Sequence, residues 1–311
     1  MASGDLVCAV DADTLIEHDA LLRIVRPFLG RDDVVASGGT IRIANGSVVR
    51  SGRVTLARVS RRPLPGVQTV EYVRAFLIGR LGWNRMGGNL IVSGAFGMFS
   101  RQAVIDAGGY LTDTVGEDME QVVRLRRHGR ATGGPSAVVF VPDPFAWTEA
   151  PETLGVLGRQ RDRWHRGLTD VIIRHRRLFA NPAYGALGTV AFPYFVIVEL
   201  LGPVIEALGL VALTLALWLH VLNWSFAALL LLVGYGWGIP SSLMAVLLDQ
   251  ITYRRYRGWR DIALLMLWAV VENLGYRQCT VYWRVRGLIK FARKSPEWGQ
   301  MTRRGFLVDG P

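Results

Sequence analysis

The feature that most constrains this chain is a long apolar stretch between Gly185 and Leu248, broken once by a short polar turn. The part from Pro203 to Leu219 has about 17 residues, the lower limit for a helix that crosses a bilayer. The part from Trp224 to Leu248 is longer and carries no charged residue. Trp218 lies before the turn and Trp224 after it, as interfacial aromatic residues do. The pattern predicts a membrane hairpin.

The segments around this hairpin carry polar and basic residues. The stretch Gly185–Leu201 contains a proline and a glutamate, which favours an interfacial or partly inserted helix. The basic run Arg254–Arg257 predicts a cytoplasmic loop. The segment Ile262–Val285 is apolar only in its first half, so it is either re-entrant or packed in a polar protein interior. We expect a membrane region over 184–285 and a basic cytoplasmic tail over 286–311.

The composition of the chain is intermediate between that of a soluble enzyme and that of a membrane protein. The 311 residues are 50% hydrophobic and carry a formal charge of +11, and the mean hydropathy is +0.26. A basic chain can bind nucleic acid, a cytoplasmic membrane surface or phosphate ligands. No zinc-finger spacing and no RNA-binding aromatic signature is present, so nucleic acid is not an expected partner. The two cysteines, Cys8 and Cys279, imply no disulfide framework.

Residues 1–183 alternate between strand and helix patterns, which predicts an α/β domain. A buried strand is expected at Leu6–Val10, a helix at Glu17–Leu29 and two short strands within Val34–Ala44. The stretch Asn89–Phe99 also reads as strand, interrupted by the small residues Ser93-Gly94-Ala95, where a ligand can approach closely.

Two acidic motifs lie in this domain. Asp11-Ala12-Asp13 follows the first strand, and in extended backbone its carboxylates would point the same way and converge on Mg²⁺ or Mn²⁺. Gly116-Glu117-Asp118 opens a predicted helix, where a carboxylate could serve as general base toward a sugar hydroxyl. The alternative for both motifs is structural, since acidic residues cap helices and favour the first helical turn.

A third motif, Gln160-x-x-Arg163-Trp164, lies in a predicted helix. Gln160, Arg163, Trp164 and Gly167 are spaced to share one face. Arginine binds phosphate oxygens with its forked guanidinium, and tryptophan offers a flat surface to a sugar ring. The glycine would leave room for a ligand. The alternative is a basic amphipathic helix that lies on anionic lipid.

In combination, Asp11-Ala12-Asp13, Ser93-Gly94-Ala95, Gly116-Glu117-Asp118 and the Gln160 motif resemble the membrane-integrated family 2 glycosyltransferases, which include cellulose, hyaluronan and poly-N-acetylglucosamine synthases. The resemblance implies the C-terminal part of a GT-A fold followed by membrane helices, because the family's first nucleotide-binding strands have no counterpart before Leu6. It thus predicts a fragment of a longer synthase or a mis-called start.

The resemblance also implies roles for the residues. Asp13 with Asp11 would hold the metal and the nucleotide diphosphate. Asp118, beside Glu117, would be the general base. Gln160, Arg163 and Trp164 would hold the diphosphate and the acceptor, close to Gly94. The partners would be a nucleotide sugar, a glycan or lipid-linked acceptor, and membrane lipids. The polymer synthases usually show threonine where this chain has Gly116, which bears on the substrate.

Two other classes fit parts of the sequence. A haloacid-dehalogenase-type phosphatase has a similar strand and DxD motif, but it needs one more residue between Asp13 and Thr14. The other is a membrane binding or transport protein without catalysis, or a catalytically inactive fragment, because the nucleotide-binding half that the resemblance implies is missing. The expected function is that of an inverting glycosyltransferase in the cell membrane, with its catalytic domain in the cytoplasm.

Overall fold

The computed structural model describes residues 3–293. The predicted basic tail, 286–311, lies mostly outside these residues. The strands are β1 Leu6–Ala9, β2 Leu15–Ile16, β3 Val34–Ile43, β4 Val48–Arg50, β5 Arg53–Leu56, β6 Gly97–Ser100 and β7 Ala137–Thr148. The helices are α1 Ala20–Ile24, α2 Arg26–Gly30, α3 Pro63–Arg74, α4 Leu81–Arg85, α5 Arg101–Asp106, α6 Glu117–Thr132, α7 Leu154–Arg174, α8 Phe192–Tyr194, α9 Gly202–Trp218, α10 Trp224–Tyr253, α11 Trp259–Val271 and α12 Arg277–Ala292. Several helices continue into π-helical turns, at Ala75–Arg80, Leu187–Ala191, Phe195–Leu200 and Glu272–Tyr276.

A mixed five-stranded sheet carries the N-terminal domain. Its strand order is β1-β6-β3-β7-β2, and β3 pairs parallel to β7 while the other neighbours are antiparallel. All of β3 is buried, because helices cover both of its faces. One core contains Ile24, Phe96 and Phe140, and another contains Val35, Val122 and Leu125. The strands β4 and β5 form a separate hairpin.

Three predicted elements differ in the structure. Glu17–Leu29 is not one helix, since it breaks into α1 and α2 at Val25, with Pro27 in the first turn of the second helix. Val34–Ala44 is essentially one strand, in which the two glycines cause only a register shift against β7. Asn89–Phe99 is strand only from Gly97 onwards.

Arginine side chains explain the non-strand part of that last segment. The guanidinium of Arg126 donates to the carbonyl of Asn89 at 2.7 Å, and that of Arg80 donates to the carbonyl of Ile91. These carbonyls are satisfied by side chains rather than by a neighbouring strand, which frees the backbone from the sheet.

Two helices in the described residues are long and apolar enough to cross a membrane. They run from Leu187 to Trp218 and from Trp224 to Tyr253. The first joins the two segments that the sequence suggested were separate, the interfacial piece and the shorter span. Large side chains such as Leu208, Leu232 and Trp237 are more than half exposed on them, so the helices do not bury these faces against the protein.

The end of α10 is anchored to the sheet domain by a buried ion pair. Arg42 on β3 donates to both carboxylate oxygens of Asp249, at 2.9 and 2.5 Å. Each side chain is only 3% exposed, and the guanidinium also stacks on the Phe145 and Tyr253 rings. Arg255 forms a second ion pair with Glu17 at 3.0 Å. The apolar hairpin therefore returns to the sheet domain.

The predicted ambiguous segment Ile262–Val285 is two helices separated by a break. Leu274 and Gly275 have non-helical dihedral angles, and Gly275 has a φ of +82°. After the break, α12 packs tightly on α7, because the Trp283 indole lies over Gly158 and Gly287 lies against the backbone of Asp162. The second helix of this segment is thus packed on α7, whereas Leu267, Leu274 and Tyr282 are more than half exposed.

Candidate active site

The Asp11-Ala12-Asp13 motif lies immediately after β1, as predicted, but in a different conformation. Ala12 and Asp13 form a turn closed by a hydrogen bond from the Thr14 amide to the Asp11 carbonyl at 3.0 Å. The expectation of two carboxylates aligned on extended backbone is therefore wrong. Asp11 is exposed and Asp13 is partly buried.

Asp118 begins α6 and its carboxylate is held by the backbone. The Met119 amide donates to Oδ1 at 2.7 Å and the Gly94 amide donates to Oδ2 at 3.4 Å. A side chain on Gly94 would place its Cβ 3.7 Å from that of Asp118. The 93–95 turn therefore lies against the carboxylate, at a distance that would also admit a Cβ on residue 94.

Three carboxylates of the two acidic motifs lie within electrostatic reach of one another. Burial raises the pKa of Asp118, and the charge of Asp11 raises it further, although the two amides and Arg80 oppose the shift. The pKa of Glu117 is also raised, by partial desolvation and by Asp118 and Asp11. Arg163 acts on Glu117 in the opposite direction. The structure thus brings together residues far apart in sequence.

The helix that carries the third motif is α7, as predicted. Gln160 is 6% exposed and Trp164 is 42% exposed, while Arg163 is partly buried. In the described part of the chain, no hydrogen bond reaches the buried Oε1 of Gln160. Such an atom is costly to bury unless a ligand or water satisfies it.

Gly167 has a different role from the one expected. Its missing side chain does not open space for a ligand, because the backbone of Gly116 fills that space. A Cβ on either glycine would lie 2.9 Å from the Cα of the other. The two glycines thus let the start of α6 rest directly on α7.

Sequence reasoning missed several polar residues around the acidic motifs. Arg80 lies in the π-helical turn after α3, and burial lowers its pKa to about 10, with Asp118 opposing the shift. Burial raises the pKa of Tyr72 to about 12 and that of Tyr110 to about 12, where Asp118 adds to the effect. Nothing in the sequence set Arg80 apart, because the same helical segment also carries Arg74 and Arg85.

A divalent ion fits the donor set only with help from a ligand. Within residues 3–293, no three His, Cys, Asp or Glu side chains are arranged to hold a metal. Asp11 lies within electrostatic reach of Glu117 and Asp118, and this excess of negative charge favours a cation. Magnesium is commonly held by one or two carboxylates together with substrate phosphates.

The architecture is that of a GT-A-type glycosyltransferase. A mannosyltransferase from Pyrobaculum calidifontis, solved with GDP-mannose and Mn²⁺, superposes with a TM-score of 0.50 at 16% identity. The match covers 94% of this chain and 64% of that one.

Sequence comparison identifies the family to which the chain belongs. A profile described as glycosyl transferase family group 2 matches residues 6–271, and the chain belongs to this family. It is 30% identical over 198 residues to a poly-β-1,6-N-acetyl-D-glucosamine synthase of Staphylococcus aureus, a match that covers 63% of this chain and 41% of the relative. The synthase of Staphylococcus epidermidis is 28% identical over 173 residues, or 56% of this chain and 37% of the relative. The chain thus matches less than half the length of these relatives.

Proposed function

We propose that this protein is an inverting glycosyltransferase that moves a sugar from a nucleotide diphosphate to an acceptor hydroxyl in polysaccharide synthesis. Family membership and the names of the staphylococcal relatives support the class of reaction. They also make UDP-N-acetylglucosamine the first donor to test, with GDP-mannose second because the structural neighbour was solved with it.

The observation that carries the proposal is the environment of Asp118. Its carboxylate is partly buried at the start of a helix, next to the other acidic motif and to α7, and its pKa is raised. A higher pKa makes a carboxylate a stronger base, provided that it stays ionised at working pH. The Gly94 and Met119 amides stabilise this ionised form. Asp118 is thus suited to accept the proton of the acceptor hydroxyl as it attacks the sugar.

We assign the nucleotide-sugar donor to the side of the Asp118 carboxylate on which the Asp11-Ala12-Asp13 motif lies. Asp11 and Asp13 would hold a divalent ion with the diphosphate, and that ion would offset the charge of the leaving group. Arg163 carries a forked cation close to Glu117 and is assigned to the same phosphates.

The acceptor is assigned to Gln160 and Trp164. The half-exposed indole can pack on a sugar ring, and the buried Oε1 of Gln160 can accept a hydrogen bond from a sugar hydroxyl. Both residues lie one turn or less from Arg163 on α7, which would keep acceptor and diphosphate adjacent.

We place the catalytic domain, 1–183, at the cytoplasmic face of the cell membrane, followed by the membrane region 184–285 and the basic tail. The two long apolar helices and their exposed leucines support insertion. The pair Arg42–Asp249 supports the sidedness, because it fixes the end of α10 to the catalytic domain. The basic loop at Arg254–Arg257 then lies on the catalytic side.

The deciding experiment compares Asp118→Asn with Glu117→Gln in the complete gene product, purified in nanodiscs. Transfer from radiolabelled UDP-N-acetylglucosamine and GDP-mannose is measured together with donor binding. We expect Asp118→Asn to bind donor normally but to lose about 10²–10⁴-fold in transfer rate, the typical loss on removing a general base. Glu117→Gln should keep most of the activity. If the Asp118→Asn variant retained sugar transfer, Asp118 would not be the general base.

A further inference from the structure

The exposed indole of Trp164 rests on a buried cation. The guanidinium carbon of Arg161, one helical turn earlier on α7, lies 4.5 Å from the centre of the indole ring. Arg161 is 5% exposed, whereas Trp164 is 42% exposed. One part of the ring is thus fixed by a cation–π contact while the rest is exposed.

Arg161 is itself fixed by two other parts of the chain. Its Nη2 donates to Oε2 of Glu71 on α3 at 2.6 Å and to the hydroxyl of Tyr276 at 3.2 Å. The Tyr276 hydroxyl donates in turn to the same Glu71 oxygen at 2.6 Å. The three groups form a closed set of hydrogen bonds, which defines one orientation for the guanidinium.

Tyr276 takes its position from the break between α11 and α12. The break is formed by Leu274 and Gly275, and the φ of +82° at Gly275 is one that side chains rarely adopt. Tyr276 follows directly and so turns toward Glu71 and Arg161. Tyr276 lies outside residues 1–183, yet its hydroxyl accepts a hydrogen bond from the guanidinium that contacts the Trp164 indole.

We infer that Tyr276 is a positioning residue for the acceptor: with Glu71 it orients Arg161, and Arg161 holds the Trp164 indole in the pose that receives the sugar. This inference rests on the proposed function of Trp164. It connects the break before α12 to binding of the acceptor. Binding of the nucleotide-sugar donor should not depend on Tyr276.

The first test needs no substrate. Hydroxyl-radical footprinting of the complete gene product in nanodiscs, read by mass spectrometry, reports the oxidation rate of Trp164 directly. Tyr276→Phe removes only the hydroxyl and should raise that rate, because Arg161 loses one of its two anchors. The matched control is Tyr282→Phe, the same change on an exposed residue of α12, which should leave Trp164 as in the wild type. An unchanged Trp164 rate in Tyr276→Phe would overturn the inference.

The second test separates acceptor from donor. With UDP-N-acetylglucosamine and a β-1,6-linked N-acetylglucosamine oligosaccharide as probes, Tyr276→Phe should raise the KM for the oligosaccharide by about 3- to 10-fold, the equivalent of one hydrogen bond. The KM for the donor and kcat should stay close to wild type. A purely structural role would instead lower the melting temperature and leave the ratio of the two KM values unchanged.

A double substitution distinguishes this inference from the proposed function. Trp164→Ala alone should raise the acceptor KM, and Tyr276→Phe should add nothing in that background. An additive effect would mean that Tyr276 acts elsewhere, which overturns the inference alone. An acceptor KM unaffected by Trp164→Ala would overturn both the role of Trp164 and the inference built on it.

Discussion

Gly116 and Gly167 meet backbone to backbone, and this contact joins the acidic motif of α6 to the helix that carries Gln160, Arg163 and Trp164. A Cβ on Gly116 would lie 2.9 Å from the Cα and 3.0 Å from the carbonyl carbon of Gly167. The threonine expected at this position in polymer synthases cannot be accommodated here without separating the helices. The pairing of two glycines thus accounts for the departure at Gly116 in terms of packing.

We expect Gly116→Ala to destabilise the protein and to lower transfer. Because the obstructing atoms are backbone, relief requires a shift of the α6 start, and such overpacking typically costs about 1–3 kcal/mol. Thermal unfolding and transfer rate measure the two effects. Gly155→Ala is the matched control, since its Cβ would meet only an arginine side chain at 3.7 Å and alanine favours the helix. Equal melting temperatures for the two variants would contradict the packing argument.

Asp13 and Arg163 are expected to affect donor binding rather than proton transfer. Asp13→Asn should weaken the Mg²⁺- or Mn²⁺-dependent binding of the nucleotide sugar, and Arg163→Ala should weaken binding in the absence of metal as well, because it removes a charge-assisted phosphate contact. Isothermal titration with donor, with and without metal, separates the two. If either variant binds donor like the wild type and only transfer falls, the assignment of the diphosphate site is wrong.

The sequence predicted those parts of the molecule in which local pattern decides structure. The structure confirms a strand before Asp11, the helix starting at Glu117, the helix of the Gln160 motif and the long helix from Trp224. The expectation that the first strand is buried is wrong, because β1 lies at the edge of the sheet and none of its residues is buried. What could not be predicted depends on contacts across the chain. No local pattern shows that arginine side chains donate hydrogen bonds to the carbonyls of Asn89 and Ile91. Nor does any local pattern show that Gly167 packs against the backbone of Gly116.

The residues of the candidate site also divide into those that the sequence indicated and those that it did not. The motif residues were recognised by type and order, whereas Arg80, Tyr72 and Tyr110 came from segments with no motif. Their proximity to the acidic residues arises from the packing of α3 and of the loop after α5 against the sheet, which is a property of the tertiary fold.

The buried pair Arg42–Asp249 is expected to fix the hairpin to the catalytic domain. Asp249→Ala would leave a guanidinium buried without its partner, and removing one member of such a pair typically costs about 3–5 kcal/mol. The double variant Arg42→Met, Asp249→Leu should recover much of that loss, since no charge remains to be solvated. Melting temperatures in detergent test this. A single variant as stable as the double would show that the pair does not anchor α10.

The turn of the hairpin and the basic loop are expected on opposite sides of the membrane. In a background with Cys8→Ser and Cys279→Ser, Leu222→Cys should react with an impermeant maleimide added to intact cells, while Arg257→Cys should react only after permeabilisation. Residue 257 is exposed, so its protection would reflect sidedness and not burial. The reverse pattern would place the catalytic domain outside.

His165 on α7 is 2% exposed and accepts a hydrogen bond at Nδ1 from Nε of Arg284 at 3.2 Å. Burial, and then the charge of Arg284, lowers the pKa of this histidine from 6.5 to about 3. Between these two values the unfolded chain binds a proton that the folded protein does not bind, so the free energy of unfolding falls as pH falls through this window.

At pH 5 this single histidine should cost about 2 kcal/mol of stability relative to neutral pH, because pH 5 lies about 1.5 units below the unfolded pKa and above the folded one. His165→Gln removes the titrating group, so its melting temperature should fall less than that of the wild type between pH 7.5 and pH 5. His18→Gln, on an exposed side chain, is the control and should follow the wild type. Because the comparison uses the change with pH, any stability that His165→Gln loses at neutral pH does not affect it. Parallel curves for His165→Gln and the wild type would mean that the folded protein accepts the proton, and that the contact between His165 and Arg284 does not persist in solution.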